Sequence, residues 1–389
     1  MSHFYFEHLQ RNLPELPNTT EGLLSDKLIS PFTLRLPKKI LGDAENVVRN
    51  LFALREQTEY QSDVQKKVPS VAQRDPGNKS ICMSYDFHLD SQGELKLIEV
   101  NTNAAFLLMG FYLYGAKNLP LPIPSFSLDL LRESWAEEAR LAGHKIQSIA
   151  IVDDAPESQR LFIEFLVYRE LFKSFGYEVQ IADPKELSLA SDGLYLQSKK
   201  IDFVYNRTTD FYFENPSSDA LRQAYIQNVM TLSPTPFEYS LLADKHRLIE
   251  WSLDLKNNSS NFPNLLNIAS HLLEADFVTK DNAIELWSRR KKLFFKPLTS
   301  FGSKGTYRGE GISRTYFDQL IDRDNIAQEY CPAQERFFEA DGIAPTKLKF
   351  DLRFYAYQET IQMVVARLYQ GQVTNLKTTH GGFAPVIFE

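Results

Sequence analysis

The chain has 389 residues, a length that suits two or three subdomains, with 43% hydrophobic and 24% charged residues, enough for a sizeable core in a soluble protein. A net charge of −7 and a pI near 5.7 argue against nucleic acid as the main partner, while a local basic site can still hold a small anion. Two cysteines, Cys82 and Cys331, cannot build a disulfide framework and read as reduced thiols of a cytoplasmic protein. The start, "MSHFYFEHLQRNLPELP", lacks the basic-then-apolar pattern of a signal peptide. Tracts such as "AAFLLMGFYLYGA" are too short to cross a bilayer, so no membrane role is expected.

The first 75 residues offer one clear element, a helical pattern over Ala44–Val68 in which Val47, Val48, Leu51 and Leu54 recur at helical spacing. Next, "SICMSYDFHLD" and "ELKLIEVNT" read as antiparallel strands joined at "SQG". "QSIAIVDDA" reads as a buried strand. "PESQRLFIEFLVYRELFKSFG" reads as an amphipathic helix with Pro156 near its first turn and Gly176 at its end. "YEVQIADPKEL" and "KKIDFVYNRTTDFYF" are further strands, the second ending in a polar loop. This β-α-β-β order with parallel pairing predicts a small α/β domain over residues 147–240. After it the pattern becomes α+β, with short strands at "LFFKPL", "GTYRG", "IAQEY", "KLKFDLRFYAYQ" and "TIQMVVARLYQGQVTNL".

The chemistry centres on "LFFKPLTSFGSKGTYRGEG" (Leu293 to Gly311). An apolar strand delivers Lys296, and a glycine-rich stretch with Gly302, Ser303, Lys304 and Gly305 follows. Such a turn lets backbone N–H groups approach phosphate oxygens while lysines neutralise their charge. It matches neither the P-loop nor the dinucleotide fingerprint, and alone it reads more readily as a solvated hairpin. Its neighbours add content. "IAQEYCP" carries Gln328, Glu329 and Tyr330. "KFDLRFYAY" places Asp351 and Arg353 on one face of a strand by the two-residue period. Arg367, Asn375, Gly381 and Gly382 follow in sequence. His88 and His380 belong to no cluster with zinc spacing, and His380 reads as a loop residue.

This order resembles that of the ATP-grasp ligases, the D-alanine ligase-like enzymes among them. There, a "KP" strand is followed by a mobile glycine-rich loop, an adenine hinge of "QE-aromatic" type, a "D-x-R" strand, an arginine strand and an "N…GG" turn. In that superfamily a metal-ligand aspartate and an "E-x-N" signature come next. In this chain they stand upstream, as Asp86 and then Glu99-Val100-Asn101, which is the displacement a circular permutation produces. The layout is similar to eukaryotic-type glutathione synthetases and glutathionylspermidine synthetases. "DFVYNRTTD" supplies Arg207 for their "VY-x-R" segment, and "LLADKHRLIEW" supplies Lys245 for their helix-start lysine.

The resemblance implies a circularly permuted ATP-grasp fold of α/β and α+β class with an inserted parallel α/β substrate domain. Residues 1–146 would carry the displaced metal-ligand strands, 147–240 the substrate domain, and 241–389 the nucleotide-binding region with a lid at about 299–311. It implies Mg²⁺ on Asp86, Glu99 and Asn101, whose oxygens suit a hard cation. It implies ATP held by Lys245, Lys296, the lid residues Gly302 to Gly305, the hinge Gln328 to Tyr330, and Asn375 with Gly381 and Gly382. Arg353 and Arg367 would stabilise charge on the transferring phosphoryl group. Arg207 and Asn103 would meet substrate, although Arg207 has Asp210 nearby as an ordinary ion-pair partner. The implied activity is ATP-dependent carboxylate–amine ligation through an acyl phosphate, with ADP and phosphate released. The partners are then small-molecule carboxylates and amines, neither nucleic acid nor membrane, in a homodimer. A small-molecule ATP-grasp kinase and a non-catalytic nucleotide-binding module are the alternatives. Three departures bear on the choice. Ser84 stands where the glutathione-type enzymes carry an arginine, no acid follows Lys296-Pro297, and "VYNRTTD" lacks their "RDGY" continuation.

Overall fold

Helix α1 (Ser2–Asn12) opens the chain in the computed structural model, which describes residues 1–257, 262–298 and 305–389. Strand β1 (Leu34–Leu36), helices α2 (Lys38–Arg55) and α3 (Thr58–Gln65), and the hairpin β2 (Met83–Leu89) and β3 (Leu95–Asn101) follow. Helices α4 (Leu107–Ala116) and α5 (Leu128–Leu141) lead into β4 (Ser148–Val152), α6 (Phe162–Ser174) and β5 (Glu178–Ala182). A meander β6 (Leu187–Ala190), β7 (Gly193–Leu196), β8 (Lys199–Ile201) precedes β9 (Phe203–Asn206), helix α7 (Asp219–Gln227) and β10 (Thr231–Ser233). The rest is mainly strand: β11 (Ala275–Phe277), β12 (Leu293–Pro297), β13 (Tyr307–Arg308), β14 (Asn325–Glu329), β15 (Glu335–Ala340), β16 (Ile343–Tyr357), β17 (Thr360–Tyr369) and β18 (Gly382–Phe388).

The architecture is mixed α/β with several sheets. A seven-stranded sheet runs β1-β18-β17-β16-β2-β3, with β15 also paired to β16. The hairpin β2–β3 from the first third of the chain thus joins strands from its last third. Strands β10-β9-β4-β5 form a wholly parallel sheet. Strands β11-β14-β12-β13 form an antiparallel one, and β6-β7-β8 a small meander. Among the described residues no helix is long and apolar enough to cross a membrane.

Side-chain alternation decides which face of the large sheet is core. Tyr85 and Phe87 of β2, Leu348, Phe350, Leu352 and Phe354 of β16, and Val364, Ala366 and Leu368 of β17 all pack into one cluster with Ile40, Val47, Val48 and Leu51 of α2. Their sequence neighbours point to the opposite face. There α4 covers one end with Leu107, Met109 and Leu113, against Met363 and Val365. The other end of that face is left open, and the polar side chains of β2, β3, β16 and β17 line it.

Three local expectations are corrected. The helix expected over Ala44–Val68 is two helices, α2 and α3, broken at Glu56 and Gln57. Arg55 enters a buried pair with Glu238, and Tyr60 donates to the Leu241 carbonyl at 2.6 Å, so each half docks on its own partner. The strand "YEVQIADPKEL" stops at Ala182, because Asp183 and Glu186 form a capping box around a single turn and β6 departs into the meander. "HGGFAPV" runs from a turn at Thr379–His380 into β18, which begins at Gly382, and neither glycine lines the cleft. Gly382 has φ +95°, and a Cβ there would lie 2.4 Å from the Leu28 carbonyl oxygen. A Cβ on Gly381 would lie 2.6 Å from the Leu368 carbonyl oxygen. These glycines admit close backbone packing away from the cleft.

Candidate active site

Strand register puts a row of charge on the open face of the large sheet. Asp86 stands opposite Glu99 on one side and Arg353 on the other, and Asp351 stands opposite Arg367. Arg353 grips Asp86 bidentately, Nε to Oδ1 at 2.8 Å and Nη2 to Oδ2 at 2.6 Å. Arg367 donates Nη2 to Asp86 Oδ2 at 2.8 Å and Nε to Asp351 Oδ1 at 2.6 Å. Thr374, on the loop after β17, donates to the second Asp351 oxygen. Burial opposes ionisation of Asp86, but the Arg353 and Arg367 guanidiniums win and bring its pKa down to about 2. Arg353 and Arg367 are both held charged despite burial.

The facing wall comes from the four-stranded antiparallel sheet. Together the two sheets enclose a cleft of about 690 Å³. Lys296, on β12, is 5% exposed, and its ammonium donates to the Ile98 carbonyl at 3.3 Å. Burial pushes its pKa down to about 8, and Lys245 adds to this while Glu99 and Asp86 oppose it. Gln328, Glu329 and Tyr330 line the same cleft on β14 and just beyond. The N–H of Glu329 donates to the Glu274 carbonyl at 2.7 Å and that of Tyr330 to the Lys292 carbonyl at 2.8 Å. The Glu329 and Tyr330 amides are therefore committed inside the fold, and a base at this edge meets side chains and carbonyl groups.

Of the residues singled out in the sequence, Asp86, Glu99, Asn101, Lys245, Lys296, Gln328, Glu329, Tyr330, Arg353, Arg367 and Asn375 all line this one cleft. Asn375 is engaged by its own loop: its amide donates to the Gln370 and Val373 carbonyls, and its oxygen accepts from the Lys377 N–H. Gly302, Ser303 and Lys304 lie outside the described residues, with the rest of positions 299–304 of the expected lid. Gly305, Gly381, Gly382, Arg207 and Asn103 do not line the cleft. Arg207 is buried beneath its end, donating to the Asn103 carbonyl at 2.6 Å and standing 3.7 Å from Glu164, not beside Asp210. Cleft residues to which the sequence assigns no role include Arg160, Leu161, Lys377 and His88. Their signal was weak, since loop residues show no period, but His88 lies two positions from Asp86 on the same strand face.

The expected Mg²⁺ set fits only in part. Both oxygens of Asp86 are occupied by guanidinium, so the carboxylate as it stands is a poor metal ligand. Glu99 and the amide oxygen of Asn101 remain on the same strand face, and Asn101 reaches Asp86 only through its Nδ2, at 3.5 Å. One carboxylate and one amide oxygen suffice for Mg²⁺ when phosphate oxygens complete the shell. Among the described residues, no group of three or more His, Cys, Asp or Glu side chains converges as a metal site.

No family model matches this sequence, and neither does any curated protein. Solved structures that overlap the fold include a protein from Methylobacillus flagellatus KT, provisionally described as a gamma-glutamylcysteine synthetase. Its TM-score is 0.47 at 10% identity, over 86% of this chain and 84% of that one. The ATP-grasp ligase PsnB, complexed with minimal precursor, Mg and ADP, overlaps with a TM-score of 0.26 at 13% identity, over 61% of this chain and 87% of that one. PsnB with precursor peptide PsnA2 and AMPPNP gives 0.27 at 12% identity, over 62% and 88%. All three lie below a TM-score of 0.5, and the functional reading rests on the site.

Proposed function

We propose that this chain is an ATP-dependent carboxylate–amine ligase of circularly permuted ATP-grasp type. The observation that carries the proposal is the buried Lys296 ammonium, facing a cleft whose other wall presents the held guanidiniums of Arg353 and Arg367. Such a site suits a ligand of high negative charge, and about 690 Å³ accommodates a nucleotide with a small acid beside it. Lys296 and Lys245 neutralise phosphate oxygens, and the Gln328–Tyr330 edge meets the base. Arg353 and Arg367 face the charge that develops as a substrate carboxylate oxygen attacks the γ-phosphorus and ADP departs. An amine then attacks the acyl carbon, phosphate leaves with the bonding pair, and the amine proton is released as the amide forms. Mg²⁺, held by Glu99, Asn101 and phosphate oxygens, would supply further neutralisation. Asp86 acts here as the carboxylate that fixes both arginines. Arg160 and Lys377 offer positive charge to the acid at the other end of the cleft.

The test is ADP release from Mg²⁺-ATP with panels of amino acids, short peptides and polyamines, with product masses recorded. Amide products that require both an acid and an amine are expected. Phosphate-ester masses would assign the site to a kinase. One observation favours a non-catalytic nucleotide-binding module as second reading: the commitment of Asp86 to guanidinium, with Ser84 beside it. That reading predicts tight ATP binding with no ADP formed under any substrate pair.

A further inference from the structure

Among the titratable side chains of the cleft with no role so far is His88, on β2. Its Nδ1 lies 2.7 Å from the backbone carbonyl oxygen of Cys331, the residue that follows the Tyr330 hinge position. A carbonyl only accepts, so Nδ1 carries the proton, and in the neutral ring Nε2 is a lone-pair acceptor. Burial lowers the pKa of the ring, and Arg367 and Lys296 add to this against Asp351 and the Cys331 hydrogen bond.

Position supplies the rest. His88 and Asp86 are two residues apart on one strand face, and Asp86 marks the arginine end of the cleft. Cys331 marks the hinge end. His88 therefore sits between the place suited to phosphates and the place suited to a base. In a nucleotide the part between those two is the sugar, and its hydroxyls are the donors that a neutral imidazole nitrogen accepts from.

We infer that His88 is a specificity-determining residue for the nucleotide, taking a hydrogen bond from a ribose hydroxyl at Nε2 and so favouring ribonucleotides over deoxyribonucleotides. The Cys331 carbonyl orients the ring, tying sugar recognition to the hinge. The inference rests on the nucleotide-site reading of this cleft, and the measurement separates the two.

Binding of ATP, 2′-deoxy-ATP and 3′-deoxy-ATP is measured by calorimetry on the full chain, alongside His88→Phe and His88→Gln. One neutral hydrogen bond corresponds to roughly a three- to tenfold preference for ATP over one of the deoxy analogues. His88→Phe should abolish that preference by weakening ATP alone, and His88→Gln, which keeps an acceptor, should retain part of it. Unchanged unfolding temperatures show that the variants are folded. Equal affinity of the parent chain for all three nucleotides would overturn the assignment. So would a preference that survives His88→Phe but vanishes in Glu329→Gln, which would move the contact to the neighbouring carboxylate. No binding of any of the three by the parent chain would overturn the nucleotide reading itself, and this inference with it.

Discussion

Two of the buried arginine–carboxylate groups in this molecule are built differently. On the large sheet, Arg353 and Arg367 share Asp86 through three charge-assisted hydrogen bonds of 2.6 to 2.8 Å, and Asp351 takes a fourth. Beneath the cleft, Arg207 stands 3.7 Å from Glu164, its Nε lacks a hydrogen-bond partner, and so does Glu164 Oε2. Arg207 is instead held by the Asn103 carbonyl and by the rings of Phe165 and Tyr205, 5.6 and 5.4 Å away. The contrast separates two uses of buried charge. A fully paired group holds its guanidiniums in one geometry, as a site that stabilises developing charge requires. An under-paired group retains capacity for a further partner, which is where a polar ligand gains most.

Substitution should rank the two groups. Asp86→Ala leaves the buried Arg353 without its carboxylate and Arg367 with Asp351 alone, and urea unfolding should show a loss of about 3–5 kcal/mol. A loss no larger than that of Glu164→Gln would erase the distinction. Acid sharpens it. The folded pKa of Asp86, about 2, lies below its unfolded value of 3.8, so its contribution is fully present above about pH 4 and disappears as pH falls toward 2. The amount is about 2 kcal/mol, and the matching slope should be missing from Asp86→Asn. Glu164 has the opposite sign. Burial raises its pKa against the pull of Arg207, so its carboxylate form is disfavoured and stability falls as pH rises above its unfolded value of 4.5. Glu164→Gln keeps an acceptor for the Phe106 N–H and should change stability at pH 8 by less than about 1 kcal/mol, toward greater stability.

Much of the cleft face was legible because strand alternation is strictly local. Asp351 with Arg353, and Glu99 with Asn101, share a face for the same reason that Leu352 and Phe354 share the core. What local pattern could not reach was partnership. Arg353 pairs with Asp86 and not with Asp351 because register sets β16 against β2, strands more than 250 residues apart in sequence. The same holds for Arg55 and Glu238, whose pairing ends α2 inside an unbroken helical pattern. Gly381 and Gly382 misled because a glycine pair signals close backbone approach without saying to what. Here the approach is to residues 27–28 and to β17.

Lys296 offers the finest test, because it reads the ligand rather than the fold. Its folded pKa of about 8 lies below the ordinary lysine value of 10.5, so the buried ammonium is half deprotonated near pH 8. A phosphate beside Nζ favours the charged form, so binding raises that pKa again. ATP binding at pH 8.5 should then take up more than half a proton, and at pH 6.5 almost none, read from calorimetry in two buffers of different ionisation heat. Above pH 8 affinity should fall by up to tenfold per pH unit. In Lys296→Met both the uptake and this slope should vanish, along with most of the affinity. Uptake of the same size in that variant would show that the titrating group is not Lys296. It would also leave the guanidiniums across the cleft as the principal anion contact. The paired arginines cannot contribute to the signal, since both stay charged throughout this range. A pH-dependent proton count therefore isolates the lysine wall of the cleft from the arginine wall.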